Sequence, residues 1–324
     1  MTFKNNWEKT DEIIVLPCEL ITQMILAAFP NERLIEQKVI SGGCANLNFK
    51  IILDNHSPLL LRVYLRDPDA CFREQKIAAL LNNKIPVPQT YFIGKIEKYQ
   101  FAVTEFINGI TLRELLLRNQ PQSMEALMLS VGEMLYRIQQ HTFSQEGIFD
   151  KDLNILPHHE NLLEFASNAL KHPTVGNQLT AAMLSKINNI FQKHGFMLAQ
   201  GKDKNLVHAD FDPVNILVDK IDGEWKITGI IDWEFTFSGS TLCDIANMLR
   251  YAHEMPPVFE SAFLNGLTKS GFILPNDWRI SIDLLNLLSL LDCLARANPS
   301  LQPNQCHDIT KLISNILLRL DTLP

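Results

Sequence analysis

Short apolar runs alternate with helical patterns in the first third of the chain. Apolar residues recur at helical spacing from Cys18 to Phe29 and again from Asp69 to Leu81. Between and after them, four runs rich in β-branched, aromatic or leucine residues predict strands over Leu34–Ile40, Leu47–Leu53, Leu59–Leu65 and Phe101–Ile107. The sequence Pro86-Val87-Pro88 predicts an extended connection, because proline fixes its own φ and disfavours helix before it. The first third is therefore predicted to be a small sheet-plus-helix lobe.

Long helical patterns dominate after Asn108-Gly109, and from Leu242 onward the pattern is helical again. Between residues 110 and 200 the predicted helices are Thr111–Arg118, Ser123–His141, Glu160–Lys171 and Gln178–His194. A β island follows, with predicted strands Asn215–Asp219 and Trp225–Asp232 joined through the hairpin turn Asp222-Gly223. We therefore predict two lobes, residues 1–107 and 108–324, with a hinge near 105–109.

Composition and charge narrow the class of protein. Of the 324 residues, 46% are apolar and 20% are charged, which is typical of a globular chain and excludes a disordered one. The net charge of −7 argues against a nucleic-acid partner, because such proteins usually carry a basic excess. The charges of residues 1–107 balance, so the whole excess lies in the second lobe. Solubility explains this excess, and a cleft that attracts a cationic substrate is the alternative.

Nothing in the sequence predicts a membrane segment or a disulfide framework. The most apolar stretch, Ile282–Ala295, is interrupted by Asp283 and Asp292 and predicts a buried helix. Residues 1–10 are polar and show no signal-peptide core, and the six cysteines include no CxxC pair. We therefore expect a cytoplasmic protein without a membrane partner.

The residues that indicate chemistry lie in and around the β island. The segment His208-Ala209-Asp210-Phe211-Asp212-Pro213-Val214-Asn215 leads directly into an apolar strand, and Gly229-Ile230-Ile231-Asp232 ends the next one. Because the hairpin folds back on itself, Asp210, Asn215 and Asp232 are expected on one face. Carboxylate and amide oxygens suit Mg²⁺, and a further carboxylate can accept the proton of an attacking hydroxyl. The pattern favours phosphoryl transfer.

These paired motifs resemble the catalytic and metal loops of the aminoglycoside phosphotransferase family, and Asp244-Ile245-Ala246 continues the pattern. The resemblance covers roughly residues 30–250 and implies an α+β, protein-kinase-like fold. Its N-lobe would hold a small antiparallel sheet and its larger C-lobe would be mainly helical. By the same resemblance, Asp210 is the catalytic base, Asn215 and Asp232 hold Mg²⁺, and ATP or GTP is the co-substrate.

The resemblance also assigns a nucleotide site in the first lobe. Ser41-Gly42-Gly43 and Asn46 match its nucleotide-binding loop, where glycines let backbone N–H groups approach phosphates. Arg62 takes the place of the phosphate-binding lysine of protein kinases, and Glu74 is its expected ion-pair partner. Residues 104–109 match the linker that binds the adenine through its backbone, which points to Glu105 and Ile107.

Several neighbours of these residues are expected to have structural roles or are open to two interpretations. We expect His208 to brace the loop, Asp244 to anchor its backbone and Trp233 to pack. For Asp212 the alternatives are a solvated carboxylate and a metal or substrate contact. For Glu234 they are a substrate contact and a loop cap.

The leading hypothesis is a kinase that phosphorylates a hydroxyl of a small molecule, with an aminoglycoside-like or other amine-bearing acceptor as the best guess. The alternatives are a metabolic kinase for choline- or homoserine-type alcohols and a nucleotide-binding pseudokinase. A protein kinase is disfavoured, because Ala209 replaces the arginine of the His-Arg-Asp motif and no Ala-Pro-Glu pattern follows.

Overall fold

In the computed structural model of the chain, the described residues are 4, 6–8, 16–40, 46–81, 84–118, 123–156, 161–198 and 203–321. The N-lobe is built on a five-stranded antiparallel sheet with the order β1-β2-β3-β5-β4. Its strands are β1 Leu34–Val39, β2 Asn46–Leu53, β3 Leu59–Tyr64, β4 Thr90–Ile96 and β5 Tyr99–Glu105. Two helices accompany them, α1 Cys18–Ala28 and α2 Ala70–Leu81. The sequence prediction of a small antiparallel sheet with helices is confirmed.

One strand of this sheet, β4, was not predicted. It begins two residues after Pro88, where the sequence indicates only an extended connection. Its neighbour β5 ends at Glu105 rather than at Ile107 as predicted, so Phe106 and Ile107 leave the sheet. These two residues therefore belong to the connection between the lobes.

The N-lobe sheet is covered on both faces. Helix α1 buries Leu20, Ile21, Met24 and Ile25 in a cluster with sheet residues such as Ile51. Helix α2 packs at the other side, where Ala70 and Cys71 meet Tyr64 and Ala102. The end of α2, with Ile77 and Leu81, joins the core of the C-lobe instead. This helix therefore links the sheet to the C-lobe.

The C-lobe is mainly helical, as predicted. Its helices are α3 Leu112–Leu117, α4 Met124–Gln139, α5 Leu162–Leu170, α6 Pro173–Gln178, α7 Ala181–His194, α8 Leu242–Leu249, α9 Pro257–Lys269, α10 Trp278–Arg296 and α11 Pro303–Asp321. The helix predicted over Gln178–His194 instead begins at Ala181, because Leu179 is extended and the Thr180 hydroxyl caps the new helix at the Met183 N–H.

Two helices of the C-lobe core approach each other closely. A β-carbon at Gly266 of α9 would overlap the carbonyl oxygen of Leu129 on α4, and one at Gly132 would overlap that of Phe263. Helix α10 is buried along most of its length and packs mainly against α8 and α11. The lobe therefore depends on small residues where α4 and α9 cross.

The predicted hairpin is confirmed. Strands β10 Ile216–Ile221 and β11 Glu224–Ile230 pair antiparallel, and Asp222 and Gly223 form the two-residue turn with φ of 54° and 84°. The third strand of this sheet is β6 Ile110–Thr111. A separate small sheet has the order β8-β7-β12-β9, formed by Ile155–Leu156, Gly147–Phe149, Phe237–Gly239 and Asn205–Val207. None of the helices in the described part of the chain combines the length and the apolar character that a membrane span requires.

Candidate active site

The loop between β9 and β10, residues 208–215, is fixed from below by helix α8. Both carboxylate oxygens of Asp244 accept backbone N–H groups at 2.9 Å, one from His208 and the other from Ala209. Asn247, one turn later, donates to the Ala209 carbonyl at 2.6 Å. Ala209 is held in a left-handed conformation with φ of 71°. Asp244 is fully buried, and burial raises its pKa to about 7 despite these two N–H donors. The expected anchoring role of Asp244 is confirmed.

His208 braces the loop, as the sequence predicted. Its ring is fully buried and lies 4.3 Å, centroid to centroid, from the ring of Trp233. Its Nδ1 accepts the Asp210 N–H at 3.2 Å, so Nε2 donates to the Ile231 carbonyl at 3.1 Å. Burial lowers the pKa of His208. Because both ring nitrogens are engaged and the ring is neutral, His208 orients the loop and has no free nitrogen that could accept a proton.

Asp210 and Asn215 form a hydrogen-bonded unit at the mouth of this loop. The Asn215 amide nitrogen donates to the Asp210 carboxylate at 2.8 Å and to its carbonyl at 2.9 Å. The second carboxylate oxygen of Asp210 stays available, and the side chain is only half-buried. With its nitrogen committed, Asn215 has its carbonyl oxygen left for a cation.

The hairpin register brings Asp232 to the same place. Ile216 pairs with Ile230, and the Ile231 N–H donates to the Asn215 carbonyl at 3.0 Å. Asp232 follows with φ of 71°, a conformation that aspartate tolerates better than most residues and that often occurs at functional sites. The structure therefore brings together Asp210, Asn215 and Asp232, as the sequence predicted.

Arg62 on β3 faces this trio from the N-lobe. Its Nη2 donates to Asp232 at 2.6 Å, and the guanidinium lies 3.5 Å from both Glu74 and Glu234. Burial alone would lower the pKa of Arg62, but Asp232 and Glu74 raise it well above its ordinary value. Its buried Nε has no hydrogen-bond partner among the described residues. The expected Arg62–Glu74 pair is present, and Glu234 is a third carboxylate that the sequence did not assign to it.

Glu234 and Asn46 connect the lobes beside this arginine. The Asn46 amide nitrogen donates to Glu234 at 2.8 Å, and its oxygen accepts the Leu65 N–H at 3.2 Å. Burial and the charge of Asp232 raise the pKa of Glu234 to about 7. Asn46 is expected to belong to the nucleotide-binding loop. It is the first residue of β2, and both polar atoms of its side-chain amide are hydrogen-bonded to protein groups. Ser41, Gly42 and Gly43 lie outside the described residues.

A cavity of about 340 Å³ opens between the lobes next to these groups. Its apolar part is formed by Leu60, Val87, Ile107, Leu217 and Ile231. Its polar end is formed by Arg62, Glu74, Asn215 and Asp232. Glu105 and Ile107, expected to line the nucleotide site, both border it; Glu105 is exposed, and its N–H donates to the Gln89 carbonyl. The apolar part of this cavity can hold the base of a nucleotide, and its charged end can hold the phosphates.

The polar end of this cavity suits a magnesium ion. It offers the free amide oxygen of Asn215 and the half-buried carboxylate of Asp232, and Mg²⁺ is usually bound by one or two carboxylates together with phosphate and water. Among the described residues, no group of three or more His, Cys, Asp or Glu side chains forms a metal site. A site at Asn215 and Asp232 therefore requires the phosphate oxygens to complete it.

The sequence left two interpretations of Asp212 open, a solvated carboxylate and a metal or substrate contact. Asp212 is buried, so it is not a solvated carboxylate. Its carboxylate is 2.7 Å from Nζ of Lys4, a residue 208 positions earlier, and accepts the Val214 N–H at 3.0 Å. Burial would raise the pKa of Asp212, but the Lys4 charge lowers it, and Asp212 and Asp210 raise the pKa of Lys4 despite its own burial. The sequence carries no signal for this contact.

The N-terminal residues are held on the C-lobe by two further contacts. Trp7 and Tyr251 both donate to Asp308 of α11, at 2.9 and 2.7 Å, and Glu8 accepts the backbone N–H groups of Asn304 and Gln305. Lys4, Trp7 and Glu8 therefore all contact the C-lobe, and Lys4 lies at the base of the loop formed by residues 208–215.

Comparisons with known proteins agree with this geometry. The model of the phosphotransferase enzyme family, APH, matches residues 36–279. A thermostable mutant of the aminoglycoside phosphotransferase APH(4)-Ia, in ternary complex with AMP-PNP and hygromycin B, has a TM-score of 0.68 and 17% identity over 92% of this chain and 97% of that chain. The GDP complex of wild-type aminoglycoside 2'-phosphotransferase-IIIa has a TM-score of 0.72 and 17% identity over 94% of this chain and 99% of that chain.

The GDP and kanamycin complex of APH(2")-IIia has a TM-score of 0.72, with 18% identity over 94% of this chain and 99% of that chain. No curated protein sequence matches the chain. At these identities the structures establish the protein-kinase-like fold, while the family model covers three quarters of the chain. The chain thus belongs to the phosphotransferase enzyme family.

Proposed function

We propose that this enzyme transfers the γ-phosphate of ATP or GTP to a hydroxyl of a small molecule. The observation that carries the proposal is the convergence of Asn215, Asp232 and Arg62 at the polar end of the interlobe cavity, together with Asp210, which is hydrogen-bonded to Asn215. A base, two oxygen ligands and a buried cation are the parts that phosphoryl transfer requires of a protein.

The free carboxylate oxygen of Asp210 accepts the proton of the acceptor hydroxyl. The acceptor oxygen bonds to the γ-phosphorus while the bond from that phosphorus to the β–γ bridging oxygen breaks, and the nucleoside diphosphate leaves with the electron pair. Asn215 holds Asp210 in place through its amide nitrogen. This positioned base contributes about 10²–10⁴ to the rate.

Asn215 and Asp232 would hold Mg²⁺, which when bound neutralises charge on the phosphates. Arg62 offers a permanently charged guanidinium to the same phosphates, and Glu74 and Glu234 hold it in place. Ser41, Gly42, Gly43 and Asn46 are proposed to form the loop over the phosphates, with Glu105 and Ile107 beside the base. We also propose that residues 1–107 form the nucleotide-binding lobe and residues 108–324 the catalytic and acceptor-binding lobe.

An amine-bearing alcohol is the acceptor class that we propose to test first. The C-lobe carries the whole net charge of −7, and related enzymes have been captured with hygromycin B and kanamycin. Metabolic acceptors such as choline and homoserine belong in the same panel, because they too present a hydroxyl and an amine.

The test is acceptor-stimulated release of ADP or GDP in the presence of Mg²⁺, with the phosphorylated product identified by mass spectrometry. Asp210→Asn is expected to lower kcat by at least about 10²-fold with nucleotide binding intact. Asp222→Asn, at the exposed turn of the same hairpin, is the matched control and should behave like the wild type.

Nucleotide binding without any phosphorylated product across the panel would contradict the proposal and indicate a pseudokinase. Equal activity of Asp210→Asn and the wild type would contradict the role of the base.

A further inference from the structure

The cavity between the lobes is lined by a second arginine, Arg113, to which the proposed reaction gives no role. Arg113 is the second residue of α3, so it belongs to the C-lobe wall of the cavity, whereas Arg62 belongs to the N-lobe wall. Its side chain is half-buried, so its guanidinium group is partly removed from water. A charged group in this position is stabilised by a partner, which is supplied either by the protein or by a ligand.

The backbone of Arg113 is fixed against the loop between β9 and β10. Its N–H donates to the Pro213 carbonyl at 2.9 Å, and the Thr111 hydroxyl caps the helix by accepting the Glu114 N–H at 3.1 Å. Pro213 lies two residues before Asn215, and both Arg113 and Asn215 line the cavity. Arg113 therefore lies on the same wall as the residue that is proposed to hold Mg²⁺ beside the phosphates.

Within the described part of the chain, no carboxylate satisfies the Arg113 side chain. Its Nε is shielded from solvent and has no hydrogen-bond partner, and none of the described acidic residues forms an ion pair with it. Arg62, by contrast, lies within 3.5 Å of three carboxylates, those of Asp232, Glu74 and Glu234. An unpaired guanidinium at the wall of a cavity favours an anionic ligand, because the ligand supplies the missing acceptors.

The other charges on the cavity wall disfavour an anion. Among the described residues that line it, two are basic and four are acidic, namely Arg62, Arg113, Glu74, Glu105, Glu114 and Asp232. Carboxylates already neutralise Arg62, so Arg113 is the cation of this described wall whose charge remains uncompensated. A phosphate that enters the cavity therefore gains more from Arg113 than from the occupied Arg62.

We propose that Arg113 is a second phosphate-binding residue, which holds a phosphate of the nucleotide from the C-lobe wall. This inference rests on the proposed function, because it assigns a further contact to the same nucleotide. The N–H groups of the guanidinium would donate to phosphate oxygens, for which its planar fork is well suited. The ligand class is a nucleoside phosphate, and a nucleoside without phosphates would gain nothing from Arg113.

The experiment measures ligand binding to the full chain by isothermal titration calorimetry, so it does not depend on the identity of the acceptor. The ligands are adenosine, AMP and ADP in the presence of Mg²⁺, together with the matching guanine series. Arg113→Met removes the charge and keeps a flexible apolar side chain. It should weaken the binding of the diphosphate at least about tenfold and leave that of the nucleoside within about twofold, because only phosphates accept charge-assisted hydrogen bonds from the guanidinium.

Arg118→Met is the matched control. Arg118 directly follows α3, but it is exposed and does not line the cavity. The control removes the same charge from the same part of the fold and should change neither affinity. Arg113→Lys keeps the charge without the fork, so its affinity for the diphosphate should lie between those of the wild type and Arg113→Met.

The outcomes separate this inference from the proposed function. Equal diphosphate affinities of Arg113→Met and Arg118→Met would overturn the inference and leave the kinase proposal intact. An equal loss for nucleoside and diphosphate would also overturn it, because Arg113 would then contact the base or the ribose. A loss confined to the phosphorylated ligands, without phosphorylated product from any acceptor, would support the inference and count against the kinase. Failure of the wild-type chain to bind any nucleotide would overturn both.

Discussion

Replacing Lys4 with methionine tests whether Lys4 stabilises the base of the loop formed by residues 208–215. The variant keeps most of the side-chain volume but removes the ammonium group that lies 2.7 Å from Asp212. Asp212 is only 1% exposed, so its carboxylate would be left buried with the Val214 N–H and the more distant charge of Arg250. Removing one partner of a buried ion pair costs about 3–5 kcal/mol, and an exposed pair contributes at most about 1 kcal/mol. Because the Lys4 side chain is 16% exposed, we expect a loss of about 2–3 kcal/mol in the free energy of unfolding.

The pH dependence of this loss follows from the two shifted groups. The pKa of Asp212 is lowered in the folded state, so its contribution is present above its ordinary value of 3.8 and is lost as the pH falls through the folded pKa. The pKa of Lys4 is raised above 10.5, so its contribution is lost only as the pH rises through that higher value. The cost of Lys4→Met should therefore be constant near neutral pH and shrink in acid, where Asp212 becomes protonated.

The assay is urea unfolding followed by tryptophan fluorescence, with a matched pair of lysines. Lys76 and Asp152 lie 2.6 Å apart, but their side chains are 42% and 49% exposed, so Lys76→Met should cost less than about 0.5 kcal/mol. In a double-mutant cycle, Asp212→Asn should recover about 2 kcal/mol of the loss in the Lys4→Met background. If Lys4→Met costs no more than Lys76→Met, or if the cycle shows no coupling, the reasoning from burial is refuted.

Three further variants test the anchor, the cation and the helix crossing. Asp244→Ala should lower the free energy of unfolding by about 3–5 kcal/mol and reduce kcat, because the His208 and Ala209 N–H groups lose their acceptor. A loss below about 1 kcal/mol would show that the loop keeps its conformation without Asp244. Arg62→Lys should raise the nucleotide KM about tenfold, since an ammonium cannot reach three carboxylates at once. An unchanged KM would show that Arg62 does not bind the phosphates. Gly266→Ala should destabilise the protein by about 1–3 kcal/mol by forcing α9 from α4, whereas Gly176→Ala, with open space around it, should be neutral or stabilising; similar melting temperatures for both would contradict the crossing argument.

Local patterns in the sequence predicted the elements whose causes are local. The Asp222-Gly223 turn fixes the hairpin register, and that register brings Asn215 next to the Asp232 loop. Both motifs lie within a few residues of the strands that position them. The fold class and the grouping of Asp210, Asn215 and Asp232 could therefore be predicted from spacing and from the resemblance that the spacing reveals.

The missed features depend on distant partners or on weak local signals. Strand β4 contains Gly94 and follows two prolines, so little but its pairing with β5 defines it. The contact between Lys4 and Asp212 joins residues 208 positions apart, and the left-handed conformation of Ala209 results from bonds to Asp244 and Asn247. Neither a lysine near the N-terminus nor an alanine before an aspartate signals such a role.

The ion pair between Arg62 and Asp232 also bears on which ligands can enter the cleft. It joins the N-lobe to the C-lobe at the point where phosphates are proposed to bind, so an arriving anion competes with a carboxylate that is already in place. A nucleoside without phosphates has no anionic group that could compete with Asp232 for Arg62, so it contacts only the apolar part of the cavity. If phosphates bind there as proposed, the cleft discriminates by charge before any chemistry takes place. Because Arg62 is buried, added salt should weaken its pair with Asp232 much less than it weakens the exposed pair of Lys76 and Asp152.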